Sequence, residues 1–203
     1  MVSLKILYAS LALVLFLVCG VSRAAETTPA QKVVEHLHET LLAAMTDGAK
    51  LGFRGRAALL RPVVDASFDF DAIVRIVTGR YWKDANPDQR TRFVEAFKQF
   101  STGSYARNFH ELDGQKFTTL GSEPDHDNLV VRSEFGKPGS EPVSFNYLLR
   151  ENNGNWLILN VVAQGVSDLA LKRADYAAVI KAEGFDALID RIKKKVTEMS
   201  TAP

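Results

Sequence analysis

"FTTLGSEPDHDNLVVRSEFGKPGSEPVSFNYLLRENNGNWLILNVV", residues 117–162, decides the fold. Four apolar runs, at 117–120, 129–135, 143–149 and 156–162, alternate with turn-forming clusters and are expected as strands. The links "SEPDHD", "GKPGSE" and "NNGN" are short. Parallel neighbours need long crossovers, so these strands form an antiparallel meander. Val143, Phe145 and Tyr147 alternate with Ser144, Asn146 and Leu148, which predicts one buried face.

Helical spacing flanks the meander on both sides. Val33, Val34, Leu37, Leu41, Leu42 and Met45 predict a helix from Pro29 that ends at Asp47-Gly48. A second is expected over 57–66, with Pro62 at an early turn or a kink. Phe68-Asp69 opens a short helix carrying Phe70, Ile73, Val74 and Val77, closed by Gly79. Asn86-Pro87 starts a long helix with Pro87 at its first position. Phe93, Phe97, Phe100, Tyr105 and Phe109 run along it, and Gly103 is expected to bend it. After the sheet, 168–181 and 185–199 read as two helices joined at Glu183-Gly184. The predicted class is α+β: a four-stranded antiparallel sheet packed against several helices.

The 203 residues carry 25 basic and 24 acidic side chains, a net charge of +1. Lys5, the apolar run 6–18 and Ser22-Arg23-Ala24 read as a secretory signal peptide, residues 1–24, cut after Ala24. The apolar run is short for a membrane span. Val18 stands where lipoprotein processing at Cys19 needs a small residue. Cleavage removes Lys5, Arg23 and the only cysteine, which leaves a single domain, 25–203, with a net charge of −1. No global basic field recruits nucleic acid or anionic membrane. No disulfide is available, so the core alone must hold an exported domain. The expected location is a bacterial periplasm.

Chemistry-bearing patterns are sparse. Gly165-Val166-Ser167 starts like a nucleophile elbow, but Leu169 replaces the second glycine. No histidine follows it either, since the four are His36, His38, His110 and His126. Ser167 reads instead as a helix N-cap, with Asp168 in the first turn and Gly165 turning the chain. His36 and His38 point roughly 200° apart on a helix, so they form a solvated face rather than a metal site. His126, between Asp125 and Asp127, lies in a surface turn. Lys193–Lys195 reads as a solvated helix end, with a membrane-touching face as the alternative. No catalytic, metal or cofactor set emerges. Aromatic side chains crowd residues 68–109, and periodicity does not separate a filled core from a hollow one.

The stretch "FDFDAIVRIVTGRYWKDANPDQRTRFVEAFKQFSTGSYARNF" resembles the MlaC-type periplasmic lipid carriers, auxiliary proteins of ABC transporters. Phe68-Asp69-Phe70, Gly79, Tyr81-Trp82, the helix start at Pro87, Phe93, Phe97 and Tyr105 carry the likeness. Trp156, Val161-Val162, Gly165-Val166-Ser167 and Gly184-Phe185-Asp186 extend it. "GVSDLALKRADYAAVI" looks closer to the hopanoid-associated HpnM branch. The resemblance implies an apolar pocket between helices and sheet, no catalytic residues and no cofactor. It implies a phospholipid or hopanoid ligand, inner-membrane ABC transporter components as partners, and an outer-membrane lipoprotein or transporter complex beyond them. The pocket wall is then expected from Phe70, Ile73, Val77, Phe93, Phe97, Phe100 and Tyr105. The sheet would add Phe145, Tyr147, Trp156, Ile158 and Val161. Two rivals stand beside this reading. One is a pocket enzyme using Asp69, Asp71, Tyr105 or Tyr147 on a polycyclic or lipid substrate. The other is an adaptor with a filled core.

Overall fold

The computed structural model describes residues 27–201. The expected leader, residues 1–24, lies outside them. Helix α1 is Pro29–Thr46. Thr28 Oγ1 accepts from the Gln31 N–H while Gln31 Oε1 accepts from the Thr28 N–H. This reciprocal box satisfies two donors that a helix start leaves free. Helix α2, Gly48–Ser67, is kinked at Gly52. Helix α3 is Phe70–Thr78 and α4 is a single turn, Tyr81–Asp84. Helix α5, Pro87–Asn108, starts with a second capping box, between Asn86 and Gln89. It runs unbroken through Gly103, where a bend was expected. Gly103 instead permits close packing, since a Cβ there would lie 3.0 Å from Met199 Cε.

The sheet comprises β1 (Lys116–Asp125), β2 (Asn128–Gly136), β3 (Val143–Asn152), β4 (Asn155–Ala163) and β5 (Val166–Ser167). Its order is β1-β2-β3-β4-β5, antiparallel throughout. The expected sheet had four strands. The fifth was missed because two residues carry no periodicity and Ser167 already reads as a cap. Both roles hold. Gln164 and Gly165 take φ of 49° and 78°, the left-handed pair of a tight hairpin turn. Ser167 ends β5, and its Oγ accepts from the Ala170 N–H at 3.1 Å to start α6, Asp168–Glu183. Helix α7 is Phe185–Thr201.

A bulge in β4 reverses its side-chain parity. Ile158 pairs with Leu149 and Asn160 with Leu148, so Leu159 is the extra residue. Cross-strand partners share a face. Ile158 therefore joins Leu149 below the bulge, and Val161 and Ala163 join Tyr147 and Phe145 above it. Without the bulge, Val161 would face solvent whenever Ile158 faced the core.

Helix α1 packs on the sheet against β1, β2 and β4 and buries Val34, Leu37 and Leu41 completely. It also buries His38, at 3% exposure, where a solvated face was expected. Of that pair, His36 alone is exposed. His38 Nε2 and Tyr147 Oη share a hydrogen bond at 3.0 Å, and the imidazole stacks on Phe117 at 3.9 Å between centroids. Burial lowers the His38 pKa from 6.5 to about 4. The folded state thus holds a neutral imidazole that the unfolded chain protonates first. Its contribution is complete above pH 6.5 and declines as pH falls toward about 4, by about 3 kcal/mol in all. Urea titrations from pH 7 to 4.5 should show this decline. The His38→Gln protein, though less stable at pH 7, should show a shallower one.

Candidate functional site

Asp69 fixes the floor of the site. It is 3% exposed, and its carboxylate accepts from Arg150 Nη2 at 2.6 Å and Nε at 2.8 Å. Its other oxygen accepts from the Ala72 N–H at 2.9 Å and caps α3. Its backbone N–H donates to the Ile158 carbonyl at 3.0 Å. One residue thus ties α3 to β3 and β4. Phe68 and Phe70, its two chain neighbours, face a cavity of about 550 Å³ between the sheet and helices α3, α5 and α6.

The cavity wall is aromatic on the helical side. Phe68 lies 5.9 Å from Tyr105 and 5.9 Å from Phe70, Phe70 meets Phe97 edge-on at 6.0 Å, and Tyr105 stacks on Phe109 at 6.0 Å. Small residues make the room: Ser101 and Ser104 on α5, and Ala163 on β4. The opening lies where β5 meets α6. Val166 and Leu171 line it while 52% and 60% exposed. Asp168 and Lys172 form an ion pair one turn apart at the same edge, with the lysine side chain mostly buried and its ammonium 5.5 Å from the Phe100 ring. Asn160 also reaches the wall. Its Oδ1 accepts from Ser167 Oγ and from the Leu169 N–H, both at 3.2 Å, and so holds the start of α6 against β4.

Of the residues expected to form a pocket, Phe70, Ile73, Phe97 and Phe100 line this cavity. Tyr105, Phe145 and Val161 line it too. Val77, Phe93, Tyr147 and Ile158 do not: they are sealed in solid core. Phe93 is wedged among Trp82, Tyr176 and Phe185, the last at 5.3 Å. Tyr147 turns toward His38. Trp156 is half-buried against the core near the start of β4. The sequence reading missed the small residues of the wall and the whole α6 rim. A serine on a helix carries no sign of the empty space beside it.

The nominal acids of an enzyme are elsewhere engaged. Asp69 is consumed by Arg150 and the α3 cap, Asp71 is exposed, and neither lines the cavity. Burial pushes the Tyr105 phenol well above its usual range, so it stays protonated at neutral pH. Asp168, at the rim, is the one carboxylate on the wall among the described residues. These residues contain no group of three or more His, Cys, Asp or Glu placed to hold a metal ion. A second, larger hollow of about 1000 Å³ lies between the α1–α2 junction and the end of α5. It is lined by Arg56, Arg107 and His110 as well as Phe53, and it lacks the aromatic wall.

Arg150→Met should cost about 3 kcal/mol, because it strands a buried carboxylate. Adding Asp69→Asn should recover part of that loss, which urea denaturation of both variants would measure.

Comparison with known proteins places this architecture. A family model described as MlaC protein matches residues 35–194. The intermembrane phospholipid transport system binding protein MlaC of Haemophilus influenzae is 23% identical over 127 residues, 60% of this chain and 59% of that protein. Toluene tolerance protein ttg2D of Pseudomonas putida is 31% identical over 132 residues, 63% of this chain and 59% of that protein. The chain thus spans about three fifths of the length of these curated relatives. A solved phospholipid-binding protein from Ralstonia solanacearum, in complex with a phospholipid, superposes with a TM-score of 0.74 at 22% identity. The match covers 85% of this chain and 99% of that one, and it shows a shared fold. With the family model covering most of the chain, and the aromatic cavity between sheet and helices in place, the chain belongs to the MlaC family.

Proposed function

We propose that this protein is a lipid-binding shuttle of the periplasm, exported by cleavage of residues 1–24. In this reading it encloses the tails of one phospholipid and exchanges it with a membrane transport system that includes an ABC transporter. The observation that carries the proposal is the apolar cavity with a one-sided polar rim. Its volume of about 550 Å³ falls within the roughly 300–1,000 Å³ typical of ligand sites. Each buried methylene is worth about 0.8 kcal/mol, so a chain of about 15 methylenes gains on the order of 12 kcal/mol by leaving water. Phe68, Phe97 and Tyr105 supply the apolar wall for tails, and the Asp168–Lys172 edge leaves a headgroup in water. The relatives support the assignment: one is named as part of a phospholipid transport system and another was solved with a phospholipid.

A carrier fits the wall better than an enzyme does, because its acids are spent on structure or stand at the rim. It also fits better than an adaptor, whose core would be filled. Transfer then rests on differential affinity for cargo between this protein and its membrane partners. Solvent extraction of protein purified from the periplasm, followed by mass spectrometry, should yield about one phospholipid per chain. A hopanoid in its place would move the cargo to the branch that "GVSDLALKRADYAAVI" resembles. No lipid, and no uptake of an apolar fluorescent probe, would refute the carrier reading. Ala163→Trp should fill the cavity from the sheet side and reduce copurified lipid at least tenfold, with the fold retained by circular dichroism.

A further inference from the structure

Around the turn that joins α3 to α5, three guanidinium groups gather on two aromatic rings and a fourth lies beside Gly79. Arg75 and Arg90 each place Cζ 5.5 Å from the Trp82 ring centre. Arg80 lies 5.0 Å from the Tyr81 ring and donates to its hydroxyl at 3.2 Å. Arg173, from α6, reaches within 4.0 Å of the position a Cβ would take on Gly79. Lys83 is exposed in the same turn. The arginines paired with carboxylates within 4.0 Å are Arg61, Arg92, Arg132, Arg150 and Arg191. Among the described residues, no ion pair neutralises any of the five cations of this cluster.

The two innermost arginines are braced by backbone carbonyls. Arg75 Nε donates to the Asp71 carbonyl at 3.2 Å, and Arg90 donates to those of Trp82 and Lys83, each at 3.2 Å. They are therefore positioned rather than loose. Asp84, in the same turn, attracts Arg80 without forming an ion pair with it and leaves most of the cluster's charge uncompensated, in a chain whose cations and anions otherwise nearly balance. Such a cluster is relieved by an anion from outside. Guanidinium forks match phosphate oxygens in pairs. Half-buried Tyr and Trp rings suit the headgroup layer of a bilayer, where an amphipathic ring has both its environments. Basic residues near an anionic bilayer each contribute attraction that salt screens.

We infer that the Arg75–Arg80–Arg90–Arg173 cluster, with Tyr81 and Trp82, is a docking face for an anionic phospholipid surface. The inference rests on the carrier reading, since a shuttle must meet membranes. Helices α3 and α6 supply both this face and part of the cavity wall, so docking holds the cavity near the bilayer.

The test is cosedimentation of the purified protein with vesicles of phosphatidylcholine alone or of phosphatidylcholine mixed with phosphatidylglycerol. The expected result is selective binding to the mixed vesicles that weakens with added salt. Arg80→Glu combined with Arg173→Glu should weaken it about tenfold or more. Lys193→Glu combined with Lys194→Glu makes the same change in net charge on α7 and should leave it nearly intact. Equal loss in both pairs, or equal binding to both vesicle types, overturns the proposal. Binding to neither overturns it as well, and turns the search for the cluster's partner to an acidic protein surface. Lipid extraction from the Arg variant separates the two readings: bound lipid retained with docking lost means that the carrier stands without depending on this face.

Discussion

The ion pair of the buried Asp69 carboxylate with the half-exposed Arg150 is the tie on which the cavity depends. A carboxylate taken out of water is costly unless every lone pair finds a donor. Here two guanidinium nitrogens and a backbone N–H approach within 2.9 Å, and Asn152 Nδ2 stands at 3.4 Å. The strand-like contact of Phe68 with Ile158 adds a backbone link at the same point. Helix α3 is thereby held against β3 and β4 at its N-terminus. Phe68 and Phe70 flank the tie, so the interaction that joins the two layers also aims the first two rings of the wall.

Helix α5 shows how one element builds both a core and a hollow. Near its start, Phe93 is enclosed by Trp82, Tyr176 and Phe185. One turn on, Phe97 touches Phe93 and Tyr176 on one side and the cavity on the other. Two turns on, Ser101 and Ser104 replace bulky residues and the space opens. A filled interior gains dispersion contacts everywhere, so a persistent hollow costs stability that the rest of the core must offset. Two capping boxes and the fully buried α1–sheet contact supply that margin away from the cavity, and the Asp69 tie supplies it at the cavity floor.

The strands and most helices were legible because their apolar periods are strong and their boundaries carry Gly, Pro and Asn. What escaped depends on partners distant in the chain. His38 looks like half of a polar pair until Phe117 and Tyr147, the latter 109 residues away from it, enclose it. Strand β5 exists only because a two-residue turn folds Val166 and Ser167 back onto Val162 and Ala163. Ile158 and Val161 were both expected on the inner face, an assignment strict alternation forbids and the Leu159 bulge permits. Phe93 and Phe97 lie one turn apart with the same side-chain chemistry, and only the packing of α6 and α7 decides which meets the cavity.

A shuttle must hold its cargo against water and still release it. If burial of a tail gains on the order of 12 kcal/mol, unassisted escape into water is very slow. Release therefore requires a path on which the tail never meets water. The rim has the form such a path needs. Val166 and Leu171 carry apolar surface from the wall out to the exterior, while the ion pair of Asp168 and Lys172 occupies only one side. Opening that edge moves the first turn of α6 and the two-residue β5, held by its pairing with Val162 and Ala163 of β4 and by Asn160 through two hydrogen bonds of 3.2 Å. Neither the Asp69 tie nor the α1–sheet core need shift. In the proposed carrier, the aromatic wall sets how tightly tails bind, and the edge at β5 and α6 sets how readily they leave.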